Sequence, residues 1–111
     1  MKIKVLLSSA ILVVSTFVAT GAQAAVDDKG AKNLLNEYGC LNCHDVTKTK
    51  SARSYKKIAA DRKGKADAEA AITKHLTQPS TVKLGADMVD HPQVEADPAQ
   101  VKNLVKWILS R

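Results

Sequence analysis

The chain reads as one small all-α domain, four or so helices around a bound ligand, preceded by a short export leader. Three observations predict this. Apolar residues recur at three- and four-residue spacing behind a capping residue in four separate places. No alternating or continuous β-branched run appears anywhere after residue 24. Directly after the first helical segment stands Cys40-Leu41-Asn42-Cys43-His44, a C-x-x-C-H run that reads as a covalent attachment site for c-type haem.

Residues 1–24 read as a secretory signal peptide. Lys2 and Lys4 form its basic start, an apolar core follows, and Ala22-Gln23-Ala24 is a small-residue cleavage pattern. A retained membrane anchor fits less well, because Ser8, Ser9, Ser15 and Thr16 break the apolar run. Cleavage leaves residues 25–111 as the domain, with no membrane span, and the periplasm as the expected compartment. Loss of Lys2 and Lys4 leaves fifteen basic residues against eleven acidic, so the formal net charge falls from +6 to +4. The aromatic residues that remain are Tyr38, Tyr55 and Trp107. A domain of this size is marginal on its own core. A buried haem would supply the missing apolar mass, and the haem-free chain is expected to fold poorly.

Asp27 and Asp28 are cap candidates for a helix over 29–38, with Ala31, Leu34, Leu35 and Tyr38 on one face. Gly39 permits a bend just before Cys40. Residues 45–53 are polar and basic without a period, hence a loop along one side of the ligand. Ser54 caps a short helix carrying Tyr55, Ile58 and Ala59, which Gly64 ends. Asp67 caps the next, with Ala68, Ala71, Ile72 and Leu76, closed by Pro79. Residues 80–98 hold Gly85, Pro92 and Pro98 and no regular period, which reads as a long loop, and loops of that length usually have a task. Asp97-Pro98 starts the last helix, whose face is Val101, Leu104, Val105 and Ile108, broadened by Trp107 and Leu109. There are no internal repeats and no second domain.

Side chains three and four apart on one helical turn share a face. The thiols of Cys40 and Cys43 and the imidazole of His44 therefore converge on a single flat ligand. The thiols would form thioethers with the two haem vinyl groups, while a nitrogen of His44 takes one axial position on the iron. A metal-ligating histidine usually donates its other ring N–H to a carbonyl or carboxylate, and the loop near Arg53 is where that acceptor is expected. Other readings fit less well. A thioredoxin-type dithiol belongs in a strand-helix-strand setting. A zinc site built from Cys40, Cys43, His44 and either His75 or His91 lacks the usual spaced ligand pairs. A plain structural disulfide leaves His44 unexplained.

An electron carrier works best with both axial positions filled by protein, and methionine sulfur raises the potential. With Met1 lost in the leader, Met88 is the remaining methionine. It lies in the long loop, where a strap over the opposite haem face would come from, and is the expected distal ligand. His91, three residues on, is its rival. His75 beside Leu76 reads as a surface or satisfied histidine. An open sixth site would instead point to gas binding or peroxide chemistry.

With these residues in place, the chain resembles the short monohaem class I cytochromes c of bacteria, the cytochrome c-551 type. The likeness is carried by 34–44, 54–59 and 66–76, by Ala99-Gln100, and by Lys106-Trp107-Ile108-Leu109-Ser110. It implies a small class I cytochrome c fold whose first and last helices cross, one covalent haem c held by Cys40 and Cys43, His44 as proximal ligand and Met88 as distal ligand. It also implies haem attachment outside the cytoplasm. Two departures stand out. The family usually has a Gly-Pro pair before its Ser-Tyr or Ala-Tyr, with the Pro carbonyl receiving the proximal histidine; here the pair is Ala52-Arg53. Prolines commonly flank the family's methionine, whereas Asp87-Met88-Val89-Asp90 has none until Pro92.

Eight basic residues lie between Lys48 and Lys65 against one acidic residue, Asp61, while Asp87, Asp90, Glu95 and Asp97 cluster elsewhere. That asymmetry can steer the molecule toward an acidic redox partner. The alternative is a merely solvated basic face. Nucleic acid is not an expected partner, because basic and aromatic residues do not interleave. The function expected is that of a monomeric periplasmic carrier, not an enzyme, passing one electron between respiratory redox partners. The rival is a haem protein with an open or labile sixth site, acting as a peroxidase or gas sensor.

Overall fold

A computed structural model describes residues 25–111, and the predicted signal peptide lies outside the described residues. Four α-helices follow one another: α1 (Asp28–Glu37), α2 (Tyr55–Arg62), α3 (Ala68–Thr77) and α4 (Pro98–Leu109). No helix among the described residues is long and apolar enough to cross a membrane. Each helix starts where its capping residue allows. Asp27 is the N-cap of α1, its carboxylate accepting from Gly30 N at 3.0 Å. Ser54 caps α2 by accepting from Lys57 N at 3.1 Å. Asp97 occupies the N-cap of α4 with Pro98 at the first helical position, and its N–H donates to Gln100 Oε1 at 3.2 Å. Asp67 stands at the cap of α3, but its side chain makes no capping bond.

Helix α4 is the centre of the packing and touches α1, α2 and α3. Leu104, Val105, Trp107 and Ile108 on α4 are almost wholly removed from water, as are Ala31 and Leu35 on α1. Tyr55, Ile72, Leu76 and Val94 complete the same cluster. Polar contacts fix how the two ends meet. Asp27 N donates to Asn103 Oδ1 and Asn103 Nδ2 donates back to Asp27 O, both at 2.8 Å. Trp107 Nε1 donates to Asp28 Oδ1 at 2.8 Å, so the buried indole has its partner.

One sequence expectation is corrected. Inside the long loop read over 80–98, Thr81–Leu84 (β1) and Asp87–Asp90 (β2) form an antiparallel hairpin, with Val82 opposite Val89 and Lys83 opposite Met88. The two-residue connection has Gly85 at φ +61°, the position where a type II′ hairpin turn calls for glycine. Strands of four residues are too short to give a convincing period, and with two strands the sheet leaves the all-helical class unchanged.

Candidate functional site

Helix α1 ends at Glu37 with Tyr38 as its C-cap, and Gly39 follows at a φ of +65°, a left-handed conformation that suits a residue without Cβ. The reversal turns the chain straight into a single 3-10 turn, Cys40–Asn42. Cys43 N and His44 N both bond back to Cys40 O, at 3.3 and 3.0 Å. The turn thus gathers the three side chains of the motif, as their spacing predicts. Both thiols are free and half-buried. Burial pushes the Cys40 thiol up, against a hydrogen bond from the Tyr55 side chain that lowers it.

The His44 ring is held on two sides. Its Nδ1 lies 2.5 Å from Arg53 O, the acceptor expected in that loop. A carbonyl oxygen only accepts, so the proton belongs on Nδ1, and Nε2 keeps a free lone pair for a metal. Loop 45–53 carries that carbonyl in a fixed place, because Ala52 N bonds to Cys43 O and Tyr55 N to Asp45 O, both at 3.0 Å. Asp45 in turn accepts from Lys48 N at 2.8 Å and Thr47 N at 2.9 Å, and these bonds lower its carboxyl pKa. The second support is Tyr55, stacked on His44 with ring centroids 5.0 Å apart and planes 27° apart. Tyr55 is buried, and burial, then the neighbouring Cys40, raises its phenol far above the ordinary range.

A cavity of about 910 Å3 opens beside this turn. Cys40, Cys43 and His44 form one wall, α3 contributes Ile72 and His75, and the hairpin segment contributes Val82, Val89 and His91. This falls in the size range of small-molecule and cofactor sites, which are mostly apolar with a few placed polar groups. The donor set suits a covalently tethered haem: two thiols on one turn, an imidazole whose other nitrogen is already engaged, and an apolar wall facing them. Among the described residues no group of three or more His, Cys, Asp or Glu converges to hold a metal ion, so the four-ligand zinc reading finds no support.

The distal candidates sit differently. Met88 is on β2, 65% exposed, and is not among the residues lining the cavity. His91 lines it, with its ring centroid 6.5 Å from that of His44. Its Nδ1 faces Pro92 O at 2.9 Å. His75, read from sequence as a surface or satisfied histidine, also lines the cavity and packs against His91 at 4.3 Å between centroids. Burial lowers the pKa of both rings. The signal that could have found His75 is its place on α3, three residues after Ile72 and four after Ala71, which also line the cavity.

The family model for cytochrome c matches residues 21–111. Among solved structures, the chain is similar to the class 1 cytochrome MtoD from Sideroxydans lithotrophicus ES-1, with 44% identity and a TM-score of 0.74 over 78% of this chain and 97% of that one. It is also similar to wild-type cytochrome c552 of Nitrosomonas europaea, with 28% identity and a TM-score of 0.57 over 71% and 96% of the two chains. The N64 deletion mutant of that cytochrome aligns equally well, at 28% identity and a TM-score of 0.58. No curated protein matches the chain.

Proposed function

The chain belongs to the cytochrome c family, with the class I fold, one covalent c-type haem and haem-based electron transfer as its work, and we propose that it is a periplasmic one-electron carrier between respiratory redox partners. In this reading Cys40 and Cys43 hold the haem by thioethers and His44 is the proximal ligand. The sixth position falls to the hairpin segment, where Met88 and His91 are the two candidates. When bound, the haem supplies a ferric-ferrous couple.

The observation that carries the reading is the fixing of His44. Arg53 O holds its Nδ1 and Tyr55 lies along its ring, so its Nε2 would present one direction to a bound iron in either charge state. A rigid ligand changes little when the metal gains or loses an electron. The apolar walls at Ile72, Val82 and Val89 keep water from the site, and export is supported by the leader over residues 1–24. Leu41, within the motif, is an exposed apolar side chain where a partner can approach. The exposed lysines between 48 and 65 suit an acidic partner.

The test uses protein purified with its haem from a host able to attach it. The expected mass is that of residues 25–111 plus one haem, with a reversible one-electron titration and slow or no binding of carbon monoxide to the ferrous form. Rapid, complete carbon monoxide binding at neutral pH would favour the peroxidase or gas-sensor class instead.

A further inference from the structure

Side chains along a strand alternate between its two faces. On β2 and its continuation, Val89 and His91 share one parity and line the cavity together with Asp90, whereas Met88, which precedes them nearer the turn, is 65% exposed and does not line it. A one-residue slip of β2 that turned Met88 inward would turn every side chain of the strand to the other face. Val89 and His91 would then leave the wall that they build.

The backbone of His91 is also pinned where it is. His91 N donates to Ser80 O at 2.9 Å, one step beyond the pairing of Thr81 with Asp90. Val94 N donates to Leu76 O at 2.7 Å and Gln93 Nε2 to Thr77 O at 2.9 Å, which ties the following residues to the end of α3. Met88 lies near the tip of the hairpin, one residue past the pair that closes the turn.

His91 and His44 are prepared alike. Each turns Nδ1 to a backbone carbonyl, of Pro92 and Arg53 respectively, which leaves Nε2 of each as the unprotonated nitrogen. Their centroids are 6.5 Å apart. Two imidazoles bound through nitrogen to one metal, at about 2.0–2.1 Å per bond, hold their ring centroids roughly 6 to 6.5 Å apart. The 60° between the two ring planes is compatible with this, since an axial bond leaves each ring free to turn about it.

We propose that His91 is the sixth ligand of the haem iron, that the iron is therefore held between two imidazoles, and that Met88 stays a surface side chain. His75, packed on His91, is a positioning residue that sets the angle of its ring. This rests on the covalent haem of the preceding reading and deepens it. Because thioether sulfur raises the potential of a haem, two imidazoles give a lower potential than a His-Met pair on the same chain.

The experiment uses the full chain produced with its haem. Mass comes first: bare polypeptide would overturn the haem reading itself, while a haem adduct leaves the ligand question to spectroscopy. The near-infrared charge-transfer band and the low-temperature electron paramagnetic resonance spectrum of the ferric protein distinguish nitrogen-nitrogen from nitrogen-sulfur ligation without any substitution. The expected result is the bis-imidazole pattern. Met88→Leu should leave spectrum and potential unchanged. His91→Ala should lose the low-spin signal, let ferrous protein bind carbon monoxide at once, and regain the low-spin signal on addition of free imidazole. His75→Ala should shift the resonance pattern without opening the iron to carbon monoxide. A sulfur-ligated spectrum, or loss of the low-spin signal in Met88→Leu with retention in His91→Ala, overturns the proposal, and so does insensitivity to both changes.

Discussion

Tyr55 lies between His44 and Trp107, stacked on the first at 5.0 Å and meeting the second edge-on at 5.6 Å. The residue that opens α2 therefore transmits the position of α4 to the imidazole. Tyr55→Phe keeps both ring contacts and loses only the hydroxyl, so its cost should stay within about 1 kcal/mol. Tyr55→Ala removes the stack and leaves a void, costing about 3–5 kcal/mol. Urea titration of the holoprotein separates the two, and Tyr55→Ala should also broaden the His44 signals in nuclear magnetic resonance.

Asn103 joins the two ends of the domain through its paired 2.8 Å bonds with the backbone of Asp27. Asn103→Ala removes both and should cost about 1–2 kcal/mol. For a domain of this length, that lowers Tm by roughly 4–8 °C per kcal/mol. Calorimetry of the holoprotein checks it, with haem spectrum and potential unchanged.

Removing the haem should cost more than any single substitution. Cys40→Ala combined with Cys43→Ala leaves an unfilled apolar cavity of about 910 Å3 in a domain already short of core. The haem-free protein should show weak near-ultraviolet circular dichroism and a broad thermal transition. A sharp, cooperative transition near that of the holoprotein would refute this.

Three aspartates set the acid limit. Asp28 is held below the ordinary carboxylate range by Lys32 and then Trp107, Asp45 by the N–H groups of Lys48 and Thr47, and Asp61 by Lys57 and Arg53. Because their folded pKa values lie below the unfolded ones, the unfolded state binds more protons as the pH falls through this window. Their contribution is complete above about pH 4 and is lost as the pH drops through the folded values. Stability measured by urea at stepped pH should be level with respect to these groups near neutrality and fall below pH 4. Asp61→Asn should flatten part of that fall.

The basic segment is less free than its composition suggests. Arg53 and Lys57 are both paired with Asp61, at 2.9 and 2.7 Å, while Lys56 and Lys63 are exposed and form no ion pair among the described residues. The double change Lys56→Glu with Lys63→Glu should slow encounter with an acidic redox partner several-fold at low salt and weaken its salt dependence. Stopped-flow transfer rates across a salt series provide the measurement; a rate unchanged by both salt and charge reversal would remove the steering idea.

The helices were legible because their signals are local. Asp27, Ser54 and the Asp97-Pro98 pair sit at the starts that their chemistry favours, and the apolar faces of α1 and α4 are the buried ones. The motif turn was legible for the same reason, as was the carbonyl at Arg53. The hairpin was not. Thr81 to Leu84 alternates over only four residues, and Gly85-Ala86 is a weaker turn signal than Asn-Gly. That omission hid the far wall of the cavity, since strand parity is what separates Met88 from His91. The meeting of His75 with His91, sixteen residues apart, likewise depends on how β2 returns along the end of α3.

The bonds that join α1 to α4 connect residues 76 and 79 positions apart. Such closure is late by construction, because a loop of that length must be drawn in before its contacts reward it. During synthesis, the thiols of Cys40 and Cys43 emerge more than sixty residues ahead of Trp107, so they are reachable for chemistry while the last helix is still missing. The order of the chain thus leaves an interval for tethering the cofactor before the final helix seals the body behind it.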